Sequence, residues 1–130
     1  MQKWYIIIGI FLISIGCKPK GPPRIMFYET EFNFGAVYQD ETFTHIFEFK
    51  NVGGDTLMIE YVVVTCKKCT HAEILSDSKI APNQKGQIAL TFYSKEFKGE
   101  IEKTIYVHSN DPTNPRFPLK IKATVVNPSQ

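Results

Sequence analysis

Cys66, Cys69 and His71 are the residues of this 130-residue chain best suited to chemistry, and they stand in the run Cys66-Lys67-Lys68-Cys69-Thr70-His71. Two thiols at this spacing can close a short-range disulfide in an oxidising compartment, and so small a loop removes little chain entropy when it closes. They can instead exchange with other thiols, because Lys67 and Lys68 between them favour a thiolate. With the imidazole of His71 they also offer two thiolates and a nitrogen, part of a zinc site or a soft copper site. A structural zinc needs a fourth ligand, and only His45 and His108 remain among the histidines. His45 lies in phase with Phe43 and Phe47, the setting of a half-buried structural histidine. His108 adjoins Ser109-Asn110-Asp111, where a solvated strand end is expected. The disulfide is the default state of the pair, with thiol exchange and zinc or copper binding at Cys66, Cys69 and His71 as alternatives; no cofactor is otherwise called for. Haem attachment does not fit, since Thr70 follows Cys69 and the histidine arrives one residue late.

Other catalytic arrangements are missing from the sequence. It has no Gly-x-Ser-x-Gly elbow, no phosphate-cradling glycine loop and no histidine pair at helical spacing. Glu48, Glu60, Glu100 and Glu102 fall on polar strand phases and predict solvated sheet faces rather than an acid–base pair. The 15 basic and 13 acidic residues are spread along the chain, so its net charge of +2 draws no footprint for nucleic acid. The expected protein is neither an enzyme nor a nucleic-acid binder.

These residues must be positioned by what surrounds them, beginning with the N-terminus. Lys3 is the only charge before an apolar run from Trp4 to Ile15, and a proline-containing polar stretch follows. That is the layout of a secretory signal. Twelve helical residues reach about 18 Å, short of the roughly 30 Å hydrocarbon core, which disfavours a permanent span. Ser14-Ile15-Gly16-Cys17 resembles the lipobox of bacterial lipoproteins, in which the cysteine is lipidated and becomes the first residue. It departs at Ser14, where an aliphatic residue is usual. The resemblance implies residues 1–16 as signal peptide, lipidation of Cys17, a membrane anchor and a place in the bacterial cell envelope facing the periplasm. Lys18 is not the aspartate that retains some lipoproteins at the inner membrane, which favours the outer one. Residues 17–24 then form the lipidated cysteine and a proline-rich tether of about 3.1 Å per residue, on the order of 20 Å long.

From Arg24 onward the hydrophobic pattern has period two, and 43% hydrophobic against 22% charged residues suits one globular domain. Phe43, His45, Phe47 and Phe49 share one phase, with Thr42, Thr44, Glu48 and Lys50 on the other. Leu57, Ile59, Tyr61 and Val63 follow in phase, and Asn51-Val52-Gly53-Gly54-Asp55 between these segments predicts a hairpin turn. Gly86–Phe92, Glu100–Val107 and Phe117–Val126 supply further strands, residues 25–29 and 32–37 one broken edge strand, and Thr70–Leu75 a short one. No helical stripe is visible. Seven or eight strands separated by turns predict an all-β, immunoglobulin-like β-sandwich over residues 25–126, with residues 127–130 as a C-terminal tail. Antibody-type inter-sheet cysteines are lacking, so packing must hold the sheets together. The cysteines fall just beyond a strand, in a loop at one end of the sandwich.

Phe32-Asn33-Phe34-Gly35-Ala36-Val37, the stretch from Phe43 to Ile59, the Cys/Thr loop, Ile80-Ala81-Pro82 through Gly86, and Ser109-Asn110-Asp111 occur in an order that resembles a bacterial envelope family of unknown function. Its hallmark is a Cys-Gly-Cys-Thr loop on an Ig-like module akin to Hydin-type (ASH) domains. The resemblance implies the sandwich fold on a secreted or lipidated protein and brings no activity with it. Cys66-Lys67-Lys68-Cys69-Thr70 is one residue longer than that hallmark. The function expected from all of this is a non-enzymatic binding or assembly role, with an unknown envelope protein as partner and sheet edges that can accept an added strand.

Overall fold

The computed structural model describes residues 21–127, so the expected signal peptide, Cys17 and the last three residues lie outside the described part. Its strands are β1 (Ile25–Phe27), β2 (Glu31–Tyr38), β3 (Thr42–Asn51), β4 (Leu57–Val64), β5 (Thr70–Ile74), β6 (Lys79–Ile80), β7 (Lys85–Tyr93), β8 (Gly99–Ser109) and β9 (Arg116–Val126). They form two sheets, one ordered β1-β3-β7-β5 and the other β2-β9-β8-β4-β6. No helix occurs among the described residues. The all-β, Ig-like sandwich is therefore the fold of this chain.

The alternation of apolar residues dictates the core. Phe47 and Phe49 on β3 and Ile88, Leu90 and Phe92 on β7 are fully buried. So are Leu57, Ile105, Val107, Leu119 and Ile121 on the opposing sheet. Each such side chain contributes about 1.5–3 kcal/mol over its exposed state.

Three sequence expectations are corrected. Residues 25–38 are not one broken edge strand: β1 pairs antiparallel with β3 in one sheet, whereas β2 pairs parallel with β9 in the other. The switch is held by Asp111, whose buried carboxylate accepts from the Ile25 amide at 2.9 Å. Together with the two-residue β6, this split raises the strand count to nine among the described residues.

Asn51–Asp55 is not a hairpin either, because β3 and β4 belong to different sheets. The chain crosses between sheets around the fully buried Asn51 side chain, which donates to Asp55 O (2.7 Å) and Ile80 O (2.9 Å) and accepts from Gly53 N (3.0 Å) and Arg24 N (3.3 Å). Gly53 is required there, since a Cβ would lie 2.2 Å from the backbone oxygen of Pro22. The Pro22–Arg24 end of the expected tether thus packs on the domain, with Val52 N–H donating to Arg24 O at 2.9 Å.

On β4 the phase breaks. Leu57 and Ile59 are buried, but the ladder with β8 shifts register between Ile59 and Tyr61. The bulge turns Tyr61 and Val63 outward and brings Val62 and Val64 onto the core.

Candidate functional site

Three loops meet at one end of the sandwich: the β2–β3 turn, the β4–β5 loop that carries the cysteines, and the β7–β8 loop. The first and third are stitched by Ser94, which is fully buried. Its hydroxyl lies 2.7 Å from Tyr38 O and 3.2 Å from Glu41 O and accepts from Glu41 N at 3.0 Å, while its own amide donates to Glu41 O at 3.0 Å. Asp40 makes the tight turn possible with a left-handed φ of 65°. Gln39 Nε2 adds a bond of 3.1 Å to Lys95 O.

The cysteine loop is fastened from within. Cys66 and Cys69 are joined by a disulfide with their Cα atoms 5.5 Å apart. Cys69 is buried and belongs to the core; Cys66 is half-buried and packs against it. The amides of Cys69 and Thr70 and the Thr70 hydroxyl all donate to Cys66 O, at 3.3, 2.9 and 2.7 Å. Tyr93 N–H donates to Cys69 O at 2.8 Å, which ties the loop to β7.

Between the loops lies a cleft of about 520 Å³, within the range of small-molecule sites. Its apolar part is made by the cysteine pair, Tyr93 and Phe97; Phe97 packs on Phe92 with ring centroids 5.6 Å apart. Lys67, Lys68 and Lys95 stand around it against Asp40, Glu41 and Glu96, so its rim carries both signs of charge in equal number. A partner that presents an apolar group flanked by mixed charges would fit this pattern.

The structure brings Cys66 and Cys69 together and leaves His71 apart. His71 is exposed on β5, while its neighbours Thr70 and Ala72 face inward. Among the described residues no group of three or more His, Cys, Asp or Glu side chains is gathered into a metal-binding set. His45 is half-buried, stacked on Phe32 at 3.6 Å between centroids and bonded to Glu29. His108 stacks on Tyr61 at 4.3 Å. The residues around Asp40 and Phe97 that complete the cleft were missed in the sequence, where only turn chemistry marked their loops.

Residues 25–125 match the model of the family described as "Protein of unknown function (DUF1573)". No curated protein matches the sequence. Among solved structures, the chain is similar to a protein of unknown function from Porphyromonas gingivalis W83, with a TM-score of 0.65 and 19% identity over 88% of this chain and 51% of that one. It is also similar to the VesB protease of Vibrio cholerae (TM-score 0.61, 10% identity, 78% of this chain and 31% of the protease). The ASH/PapD-like domain 7 of human CEP192 gives a TM-score of 0.58 at 10% identity, covering 79% of this chain and 85% of that domain. The chain spans about half the length of the Porphyromonas gingivalis protein. At these identities the likeness carries the fold alone.

Proposed function

The chain belongs to the DUF1573 family, and from its own residues we propose that it is a lipid-anchored cell-envelope module with a non-enzymatic binding or assembly role. The anchor is Cys17 in Ser14-Ile15-Gly16-Cys17, and the tether after it holds the domain in the periplasm, on the outer membrane. The observation that carries the binding role is the cleft beside Cys66 and Cys69, set between two loops joined through Ser94 and a cysteine loop closed on itself and tied to β7. Its lining offers aromatic rings, lysines and carboxylates that can hold a partner. In this account the cysteine pair is a staple that keeps the loop in shape.

A second reading, thiol–disulfide exchange, is favoured by one feature: Cys66 is half-buried and lines the cleft, within reach of an incoming thiolate. Metal handling through Cys66, Cys69 and His71 would require the disulfide to open and β5 to turn His71 over.

The test is photo-crosslinking in cells. A photoreactive residue replaces Lys95 at the cleft or Gln87 on the outer sheet face, and the membrane fraction is compared with that of Cys17→Ala. A discrete adduct at position 95 and none at 87, with Cys17→Ala released from the membrane, is the expected result. Equal labelling at both positions would overturn the binding site, and retention of Cys17→Ala would overturn the anchor.

A further inference from the structure

The first sheet ends at β5, and its register with β7 fixes which main-chain groups are left over. At the two ends of this ladder Tyr93 N–H donates to Cys69 O (2.8 Å) and Leu75 N–H to Gln87 O (2.9 Å), while Thr70 to Ile74 lie opposite Phe92 to Ile88. Hydrogen-bonded pairs alternate along an antiparallel ladder, so His71 and Glu73 bond to β7 and the main-chain groups of Thr70, Ala72 and Ile74 point out of the edge. The Thr70 amide shows that direction, since it turns away from β7 to Cys66 O at 2.9 Å. Among the described residues no strand flanks Ala72 and Ile74 on that side.

The second sheet is open at the same place. β6 covers β4 only at Leu57 and Met58, and Ile59 N–H donates to Ser78 O; beyond them no strand among the described residues flanks the outer side of β4. Val62, Val64, Ala72 and Ile74 are partly buried and pack against the core, so β4 and β5 border an apolar seam between the sheets.

The other edge strands, β1, β2 and β6, carry the devices that blunt edges. Strand β1 has three residues and follows Pro22-Pro23; β2 has an irregular register between Asn33 and Ala36, with Gly35 at a φ of 74°. Strand β6 has two residues, one of them Lys79. Thr70-His71-Ala72-Glu73-Ile74 has neither proline nor lysine and pairs with β7 in unbroken register.

We propose that the free edge of β5 accepts an extended segment of another polypeptide as a further strand. That segment carries apolar residues at alternate positions, opposite Ala72 and Ile74, which fill the seam toward Val62 and Val64. Its intervening residues are polar, with a basic one opposite the exposed Glu73. This goes beyond the cleft to a second contact surface, and rests only on the binding role proposed above.

The test selects a displayed library of nine-residue peptides on the full chain in detergent micelles, then measures affinity and amide exchange with the selected peptides. Expected are peptides with alternating apolar residues that slow exchange of the Ala72 and Ile74 amides by at least about tenfold and lose at least about tenfold in affinity when their inward amides are N-methylated. Ala72→Pro, which removes an outward N–H and no ladder bond, should abolish binding while Gln87→Ala, on the outer sheet face, retains it. Unchanged exchange at Ala72 and Ile74 under saturating peptide would overturn the proposal, and needs no variant to fold. Peptides that depend on Lys67 and Lys68 instead would leave the cleft as the binding site and remove the edge; a selection that yields no binder would count against both.

Discussion

Thr70 donates twice to the carbonyl oxygen of Cys66, from its amide at 2.9 Å and from its hydroxyl at 2.7 Å, so the cysteine loop is closed by hydrogen bonds at the residue where its disulfide begins. The covalent bond and the hydrogen bonds share one task. On the chain-entropy account a four-residue ring contributes about 2 kcal/mol. The Cys66→Ser, Cys69→Ser double variant should therefore stay folded and lose about that much in urea unfolding. Thr70→Val should cost about 1–2 kcal/mol. The triple variant should depart from their sum, because all three changes loosen one loop. A double variant that fails to fold would contradict this division of labour.

Asn51 holds the crossover between the sheets through four hydrogen bonds made in a fully buried setting. Asn51→Ala strands donors and acceptors that water does not reach, and should cost about 2–4 kcal/mol. Gly53→Ala should be comparably damaging, since its Cβ meets backbone atoms of Pro22, Pro23 and Arg24, which yield less readily than a side chain. Equilibrium unfolding of both variants checks this; a loss below about 1 kcal/mol in either would be inconsistent with the crossover described.

Asp111 accepts from the Ile25 amide 86 residues away, and from Thr113 N and Asn114 N at 2.8 and 3.2 Å. Asp111→Ala should cost about 2–3 kcal/mol and free the Ile25 amide to exchange sooner than the rest of the core. If Ile25 keeps core-level protection in this variant, β1 is docked by something other than Asp111.

Glu31 on β2 and Lys122 on β9 lie 2.6 Å apart across the parallel pair. The hydrogen bond from Lys122 holds the Glu31 carboxyl below its ordinary 4.5, and the same bond holds Lys122 above its ordinary 10.5. The pair's contribution is complete between those two values. It is lost as pH falls through the lowered carboxyl value, and again as pH rises through the raised amine value. Both groups are exposed, so Glu31→Gln should lower the midpoint of thermal unfolding only slightly near neutral pH. The difference from the unchanged protein should vanish once the pH falls below the lowered carboxyl value, or in about 0.5 M salt. A gap that persists in acid would mean that Glu31 acts through packing instead.

Strands that keep one phase from end to end were legible in the sequence. Phe47 and Phe49, Ile88, Leu90 and Phe92, Ile105 with Val107, and Leu119 with Ile121 all face the core as their alternation predicts. The phase was misread on β4, because the bulge at Ile59–Tyr61 moves every later side chain to the other face without changing residue type. The glycines of Asn51–Asp55 looked like a hairpin because turn composition reports a change of direction and not the sheet that the next strand joins. The cysteine loop was legible as a loop. Its cleft was not, because Ser94 joins segments more than fifty residues apart in the chain. Contacts at such separation leave no periodicity to read.

The central claim is a lipid-anchored binding module whose cysteine pair is a staple, and the most direct test takes the intact mass, thiol count and metal content of one sample of the mature protein from an oxidising compartment. The account predicts an acylated Cys17, a mass about two daltons below the reduced form, no free thiol and no bound metal. Free Cys66 and Cys69 with stoichiometric zinc or copper, lost on replacing Cys66 or His71, would contradict it and make the loop a metal site.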